Sequence, residues 1–559
     1  MNKTVSLLVS LSLLGCAEQS SDMEKASIKS ERIESISAAK AIQINPSQFT
    51  DEMAKSNLDF IKNQYVKMIN HVDSNQHVKL AAPCVNEQVI CFPRAEEDGE
   101  IFLEQPKKWT NGFYPGLLWK LLSENADIAS FTSDEQALVL AKAKYYQAAL
   151  LPETQRGVTH DLGFILYDSY GEALNYDQLN DTDKQLYAQA LDVGRNTLVT
   201  RFDKNKGVMK SWDWGPTYPA HYLEQGEVKV KQMELADPWT FPVIVDNMMN
   251  LEFLMSSDNS EYRDLAFSHA ANTLQHHYFY APDDTNKAYP IAYHLFDYDS
   301  MRPGNWQGVG NISAWARGQG WSLYGYVTVV EALQQQGTDI ELPNFELHLE
   351  RLVSSIEHFL KDDPVPIWDY FAASDSALAI AEDQSDNTTH YSRILDLCDF
   401  EIPNDILPYN GYRPVKLNKN QLSASALTEL STMTSAYKEP FIQGDVVLPC
   451  GSQAYQRNAT HIPKDTSAAA LYASALYRLA KFTPNDALRN KSIEIADRIM
   501  VELTDKYLTS NAKGHDFDLG FVLTQATGNL PNASEINTSI VYADFYFLEA
   551  NVHKLALAK

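Results

Sequence analysis

The chain has 559 residues, 44% of them hydrophobic, with 24 glycines and 24 prolines, a composition that can bury a sizeable core and that excludes global disorder. Its formal net charge of -27 at pH 7 repels polyanions, which excludes nucleic acid and anionic membrane surfaces as partners of the general surface. An anionic ligand therefore has to find a local basic pocket.

The N-terminal stretch MNKTVSLLVSLSLLGC carries Lys3 and then an apolar run too short to span a bilayer, the pattern of a secretory signal. Its end, Leu13-Leu14-Gly15-Cys16, resembles the lipobox of bacterial lipoproteins. That resemblance implies a signal peptide over 1–16, lipidation of Cys16, and a protein anchored in the bacterial cell envelope, at the outer membrane on its periplasmic side or surface. Residues 17–43 are small, polar and charged and read as a flexible tether, leaving 44–559 as the folded domain.

From there apolar residues recur at three to four residue spacings in segment after segment, among them FTDEMAKSNLDFIKNQYVKMI, DEQALVLAKAKYYQAALL, WSLYGYVTVVEALQQQ and DTSAAALYASALYRLAKF. The loops between them are rich in Trp, Gly, Pro and Asp. Helical hairpins with aromatic loops at one end predict an all-α closed helical toroid rather than a βαβ sheet. The stretch VIVDNMMNLEFLM (243–255) reads as part of a buried helix. Two regions break the pattern: about 75–108, and a long irregular insertion at about 372–462, which is longer than a compact domain tolerates without a purpose.

Four cysteines follow Cys16, and an even number in an oxidising compartment permits two disulfides. Cys84 with Cys91 and Cys398 with Cys450 would each close one irregular stretch, among three connectivities that are formally possible. No CxxC occurs, no calcium or phosphate loop is present, and His276-His277 lacks a third ligand at helical spacing, so neither metal nor cofactor is expected.

All nine tryptophans lie between 109 and 368, clustered in KKWTNGFYPGLLW, KSWDWGPTYP, DPWTF, GNWQG and SAWARGQGW. Flat aromatic faces pack against the CH faces of sugar rings while neighbouring polar groups fix the hydroxyls, so the cluster points to a carbohydrate cleft. Two carboxyls stand in apolar settings, Asp161 in THDLGFIL and Asp246 in VIVDNMMN, and paired acids whose environments separate their pKa values are the usual machinery for acid and base work on sugars. Arg317 and Trp321 share a helix face, and a guanidinium is the natural bidentate partner of a uronate carboxylate. His294 is a further candidate contact.

Taken in order, WTNGFYPGLLW, THDLGF, VDNMMNL, GNWQGV, WARGQGW, KDTSAAALYASALYRL and YADFYFLEA resemble the unsaturated glucuronyl hydrolases of glycoside hydrolase family 88, over about 55–370 and 460–555. The resemblance implies an (α/α)6 barrel and removal of the 4,5-unsaturated uronic acid that polysaccharide lyases leave at the non-reducing end of oligosaccharides. It implies that Asp246 is the general acid and base and Asp161 the second essential carboxylate. Trp109, Phe113, Trp212, His294, Gln307, Arg317 and Trp321 match substrate-binding positions. The chain departs from the family pattern at Trp306 and in RGQGW. The related family 105, acting on unsaturated rhamnogalacturonan products, and a non-catalytic glycan-binding lipoprotein are the alternative readings. The parent polymer stays open among ulvan, glycosaminoglycan and glucuronan.

Overall fold

The computed structural model describes residues 48–370 and 463–558, except 87–88, 125–130, 214–216, 225–226, 235–238, 282–283, 305, 309–312, 337–341, 512–517 and 530–533, together with the strands Pro414–Asn418 and Asp445–Pro449. The expected signal peptide with Cys16, the tether, Cys398 and Cys450 lie outside the described residues.

Among the described residues, twelve of the helical segments alternate between two rings. The outer ones are α1 (Asp51–Ser74), α3 (Ser133–Ala149), α5 (Asp181–Val199), α7 (Ser260–His276), α9 (Phe345–Phe359) and α11 (Asp486–Glu502). The inner ones are α2 (Phe113–Ser123), α4 (a π-helical Gly163–Gly171 continued by Glu172–Leu174), α6 (a 3-10 turn Val245–Met249 running into Asn250–Met255), α8 (Ala316–Gln336), α10 (Thr466–Phe482) and α12 (Val541–Ala556). Each inner helix packs on the next, α2 on α4, α4 on α6, α6 on α8, α8 on α10, α10 on α12, and α12 returns to α2, which closes the ring. This is the (α/α)6 barrel expected from the sequence.

Side-chain chemistry sorts the two rings. Every residue from Phe113 to Leu122, Ala316 to Val330, Thr466 to Tyr477 and Val541 to Asn551 is buried, whereas α1 and α9 bury only a stripe at three to four residue spacings. A helix apolar all round must be enclosed, and one with a single apolar stripe lies at the surface. Glycines let the inner helices touch: a Cβ on Gly325 would lie 2.5 Å from Cβ of Met248, and one on Gly116 would lie 1.8 Å from the Asp168 carbonyl oxygen.

Helix ends divide nearly the same way, with α10, capped by Asp465, the inner exception. All six outer helices have a side-chain N-cap, from Thr50, Thr132, Asn180, Asn259, Asn344 and Asn485. The N-termini of α2, α4, α6 and α12 have none. Their first N–H groups are met from elsewhere in the fold instead, Gly163 N–H by Asn250 Oδ1 and Val245 N–H by the His294 carbonyl.

Three expectations need correction. The stretch 243–255 is not one buried helix: Pro242–Ile244 is a strand, and Asp246 sits in the first turn of the 3-10 segment that follows. The strand pairs with Leu295–Asp297, and its Ile244 amide takes the Ser211 hydroxyl as acceptor, so tertiary partners override the helical spacing. The region about 75–108 is not irregular throughout, because β1 (Val78–Leu80), β2 (Phe92–Glu97) and β3 (Glu100–Glu104) form a sheet in the order β1-β3-β2. Cys84 and Cys91 are disulfide-bonded beside it. Within the insertion, Pro414–Asn418 and Asp445–Pro449 pair as antiparallel strands.

Candidate active site

The segments that precede the uncapped inner helices gather at one end of the ring. Lys108 and Trp109 lead into α2, Thr159 and Asp161 into α4, Ile244 into α6, and Gly528, Asn529, Ser534 and Glu535 into α12; together with Asp246, Trp212, Trp306 and Gln307 they line a cleft of about 880 Å3. Two aromatic walls face it. On one, Trp109 packs against Phe164 and Tyr542 with ring centroids 5.3 and 5.0 Å away. On the other, Trp212 and Trp306 belong to a small apolar cluster with Trp239, Ile244 and Leu295.

Asp246 lies at the base of this cleft, 6% exposed. Burial pushes its carboxyl up to about 7, an effect that the nearby Arg317 guanidinium and its own backbone N–H oppose and that Asp161 reinforces. The Oδ2 atom has no hydrogen-bond partner. Such a group is half-protonated near neutral pH, which is the requirement for one residue to give and then take a proton.

Asp161 is the more open of the pair, its side chain 26% exposed. Its Oδ2 accepts the Thr159 hydroxyl at 2.5 Å, and its Oδ1 stands 3.3 Å from Nε2 of His160. Burial holds His160 below the usual histidine range, so the imidazole is neutral at pH 7.

His294 Nδ1 accepts two backbone N–H groups, from Trp306 at 3.1 Å and Gln307 at 3.2 Å. An imidazole nitrogen that accepts carries no proton, so the proton is on Nε2, the nitrogen facing Asp246. Burial, with Arg317 and His160 adding to it, pushes His294 down to about 3 and keeps the ring neutral.

The structure brings Trp109, Trp212 and Gln307 to the cleft surface with both carboxyls, and His294 directly behind. It places Phe113 and Trp321 in a second aromatic layer, where Phe113 packs on Trp109 and Trp321 packs on Phe164, both fully buried. Arg317 is also interior, 1% exposed. Its guanidinium donates to Asp465 Oδ2 at 2.7 Å, to the Thr527 carbonyl at 2.7 Å and to the Gly528 carbonyl. Gln307 donates to the same Gly528 carbonyl at 3.1 Å. Arg317 thus holds the loop that leads into α12, and its charge acts on Asp246 through space.

Asn247 and Asn250 do positioning work that sequence reasoning missed. Asn247 donates to the Met209 carbonyl and the Ser211 hydroxyl, Asn250 donates to Asn247, and Asn250 accepts the backbone N–H of Gly163. This chain ties the turn bearing Asp246 to the start of the helix that follows Asp161. The available signal was two asparagines at i, i+3 in an apolar run, since buried amides are retained only with partners.

A closed ring of helix pairs, with two carboxyls between aromatic walls at its uncapped end, is the architecture of a glycoside hydrolase. No family model matches the chain. It is similar to an unsaturated glucuronyl hydrolase of Formosa agariphila, 26% identical over 471 residues that cover 82% of this chain and 83% of that protein. It is also similar to one from Bacillus sp. strain GL1, 27% identical over 295 residues, 50% of this chain and 65% of that protein. The crystal structure of an unsaturated glucuronyl hydrolase specific for heparin superposes with a TM-score of 0.58 at 25% identity, covering 90% of this chain and 98% of that one. The chain is thus similar in sequence and in fold to the unsaturated glucuronyl hydrolases, in line with the resemblance stated above.

Proposed function

We propose that this protein hydrolyses lyase-generated oligosaccharides, releasing the 4,5-unsaturated uronic acid from their non-reducing end. The observation that carries the reading is the buried Asp246 carboxyl, its Oδ2 without a hydrogen-bond partner, in an aromatic cleft with a second, more open carboxyl beside it.

Protonated Asp246 gives its proton to C4 of the vinyl ether, and positive charge develops at C5 and the ring oxygen. The Asp246 carboxylate then takes a proton from water as the water oxygen bonds to C5. The acid is thereby restored. The resulting hemiketal opens by breaking the bond from C5 to the ring oxygen, which becomes a hydroxyl on the anomeric carbon. That carbon now carries a hydroxyl and the leaving sugar, and it collapses to an aldehyde and a free sugar hydroxyl. Asp161 holds ring hydroxyls, and Nε2–H of His294 donates toward the carboxyl or the incoming water.

The test follows the ultraviolet absorbance of the conjugated double bond in glycosaminoglycan, glucuronan and ulvan lyase products. Absorbance falls if the proposal holds; stable absorbance across all three sinks it, and rising absorbance on intact polymer would make the protein a lyase. The lipobox-like sequence around Cys16 supports anchoring in the cell envelope. Metabolic labelling with palmitate tests that, and loss of label in Cys16→Ser is the expected result.

A further inference from the structure

The cleft carries cations as well as the carboxyls Asp161, Asp213, Asp246 and Glu535. Arg94, Lys108 and Arg156 all line it, in a chain whose net charge is -27. Arg94 is committed, its Nε and Nη2 on the two oxygens of Glu535 at 2.5 and 3.0 Å. Arg156 donates to the Lys107 carbonyl, which brings its guanidinium beside the Lys107-Lys108 backbone, and it stands 3.4 Å from Glu153. Lys108 is the least engaged of the three. Its side chain is 41% exposed, and among the described residues its ion pair is with Glu104 at 3.7 Å, longer than a hydrogen bond. That same Glu104 oxygen is shared with Arg94 at 3.5 Å.

We infer that Lys108, backed by Arg156, receives an oxyanion of the bound oligosaccharide, either a carboxylate or a sulfate ester. The inference rests on the proposed activity and assigns it an anionic contact. Arg317 cannot serve, because its terminal nitrogens are already occupied by Asp465 and two carbonyls. Position favours Lys108: it immediately precedes Trp109, and both line the cleft. The surrounding field adds a reason, since an acid-surfaced protein repels an anionic sugar until a local cation offsets the repulsion.

The experiment compares two unsaturated disaccharides that differ only in a sulfate on the second sugar, with wild type, Lys108→Met and Lys108→Arg. Lys108→Met is expected to raise KM about tenfold, the factor that ~1.4 kcal/mol of binding corresponds to. Lys108→Arg is expected to restore most of it. A rise on the sulfated disaccharide alone assigns the oxyanion to the ester, and a rise on both assigns it to the carboxylate they share. Unchanged KM on both overturns the inference, and so does a fall in kcat with a lowered Tm that Lys108→Arg does not rescue. Should wild type turn over neither disaccharide, the proposed activity is decided by the three lyase products above, and the Lys108 contact is judged by calorimetric binding of the same pair, with loss of affinity in Lys108→Met supporting it and equal affinity overturning it.

Discussion

Oδ2 of Asp246 and Nε2 of His294 face each other at 3.9 Å, beyond hydrogen-bond reach, and neither has another partner among the described residues. Two buried polar atoms left apart in this way cost stability, and such costs concentrate at sites where a substrate or water completes the set. The spacing admits an atom that touches both.

Asp246→Asn removes the proton donor while keeping the shape. Turnover on an unsaturated disaccharide should fall by about 10³-fold or more, within the range for loss of general acid and base catalysis. Thermal unfolding should show equal or higher stability at pH 8, because the substitution deletes a carboxylate that burial disfavours. A variant with a few per cent of wild-type activity would mean the acid is elsewhere.

The same carboxyl fixes the pH dependence. Its folded pKa, about 7, lies above the ordinary value of 3.8, so the protonated form is favoured by folding. The stability it contributes is present below about pH 4 and is lost as pH rises through 7. kcat/KM should therefore decline above pH 7 in parallel with deprotonation. The Tm of wild type relative to Asp246→Asn should drop between pH 4 and 7 and then level off.

For His294, two substitutions separate its two nitrogens. His294→Asn can keep an acceptor for the Trp306 and Gln307 amides but loses the group that faces Asp246. His294→Ala loses both. We expect both to cut kcat by about 10²-fold or more, while the alanine variant alone loses about 1–3 kcal/mol for the stranded amides. Denaturant titration beside kinetics reads the difference.

Arg317→Ala breaks a buried pair and strands Asp465, which should destabilise the protein by about 3–5 kcal/mol. It should also move the alkaline limb of the pH profile upward, because the guanidinium holds Asp246 down. An increase in KM with unchanged Tm and unchanged pH profile would instead make Arg317 a direct uronate ligand. Arg317→Lys keeps the charge and tests which part the fork geometry plays.

How much of this was legible in the sequence depended on range. The three to four residue spacing of α1, α9 and α10 is local, and the helical toroid followed from it. The turn at Asp246 was misread because Ser211 and the strand Leu295–Asp297, which extend Pro242–Ile244, are far away in the chain. The two carboxyls and Trp109, Trp212 and Trp306 of the quoted motifs line one cleft. Spacing could not show that Arg317 points at Asp465 and Gly528 rather than at the cleft, since that requires partners 148 and 211 residues away. Lys108 stood inside KKWTNGFYPGLLW, but a lysine beside a tryptophan has no role that spacing can assign, and its exposure in the cleft emerges only from the packed structure.

The closure of α12 onto α2 has a consequence for how activity arises during folding. The cleft takes residues from Arg94 through Glu535, so its walls come from nearly every hairpin of the ring. Contacts of such long sequence separation form late and slowly, because loop closure precedes their reward. An open ring has Trp109 and Asp246 without Gly528 above them, and Gln307 without its anchor. Catalysis is then an all-or-none report of ring closure, and partly folded chains should contribute nothing to a refolding assay until the final hairpin docks.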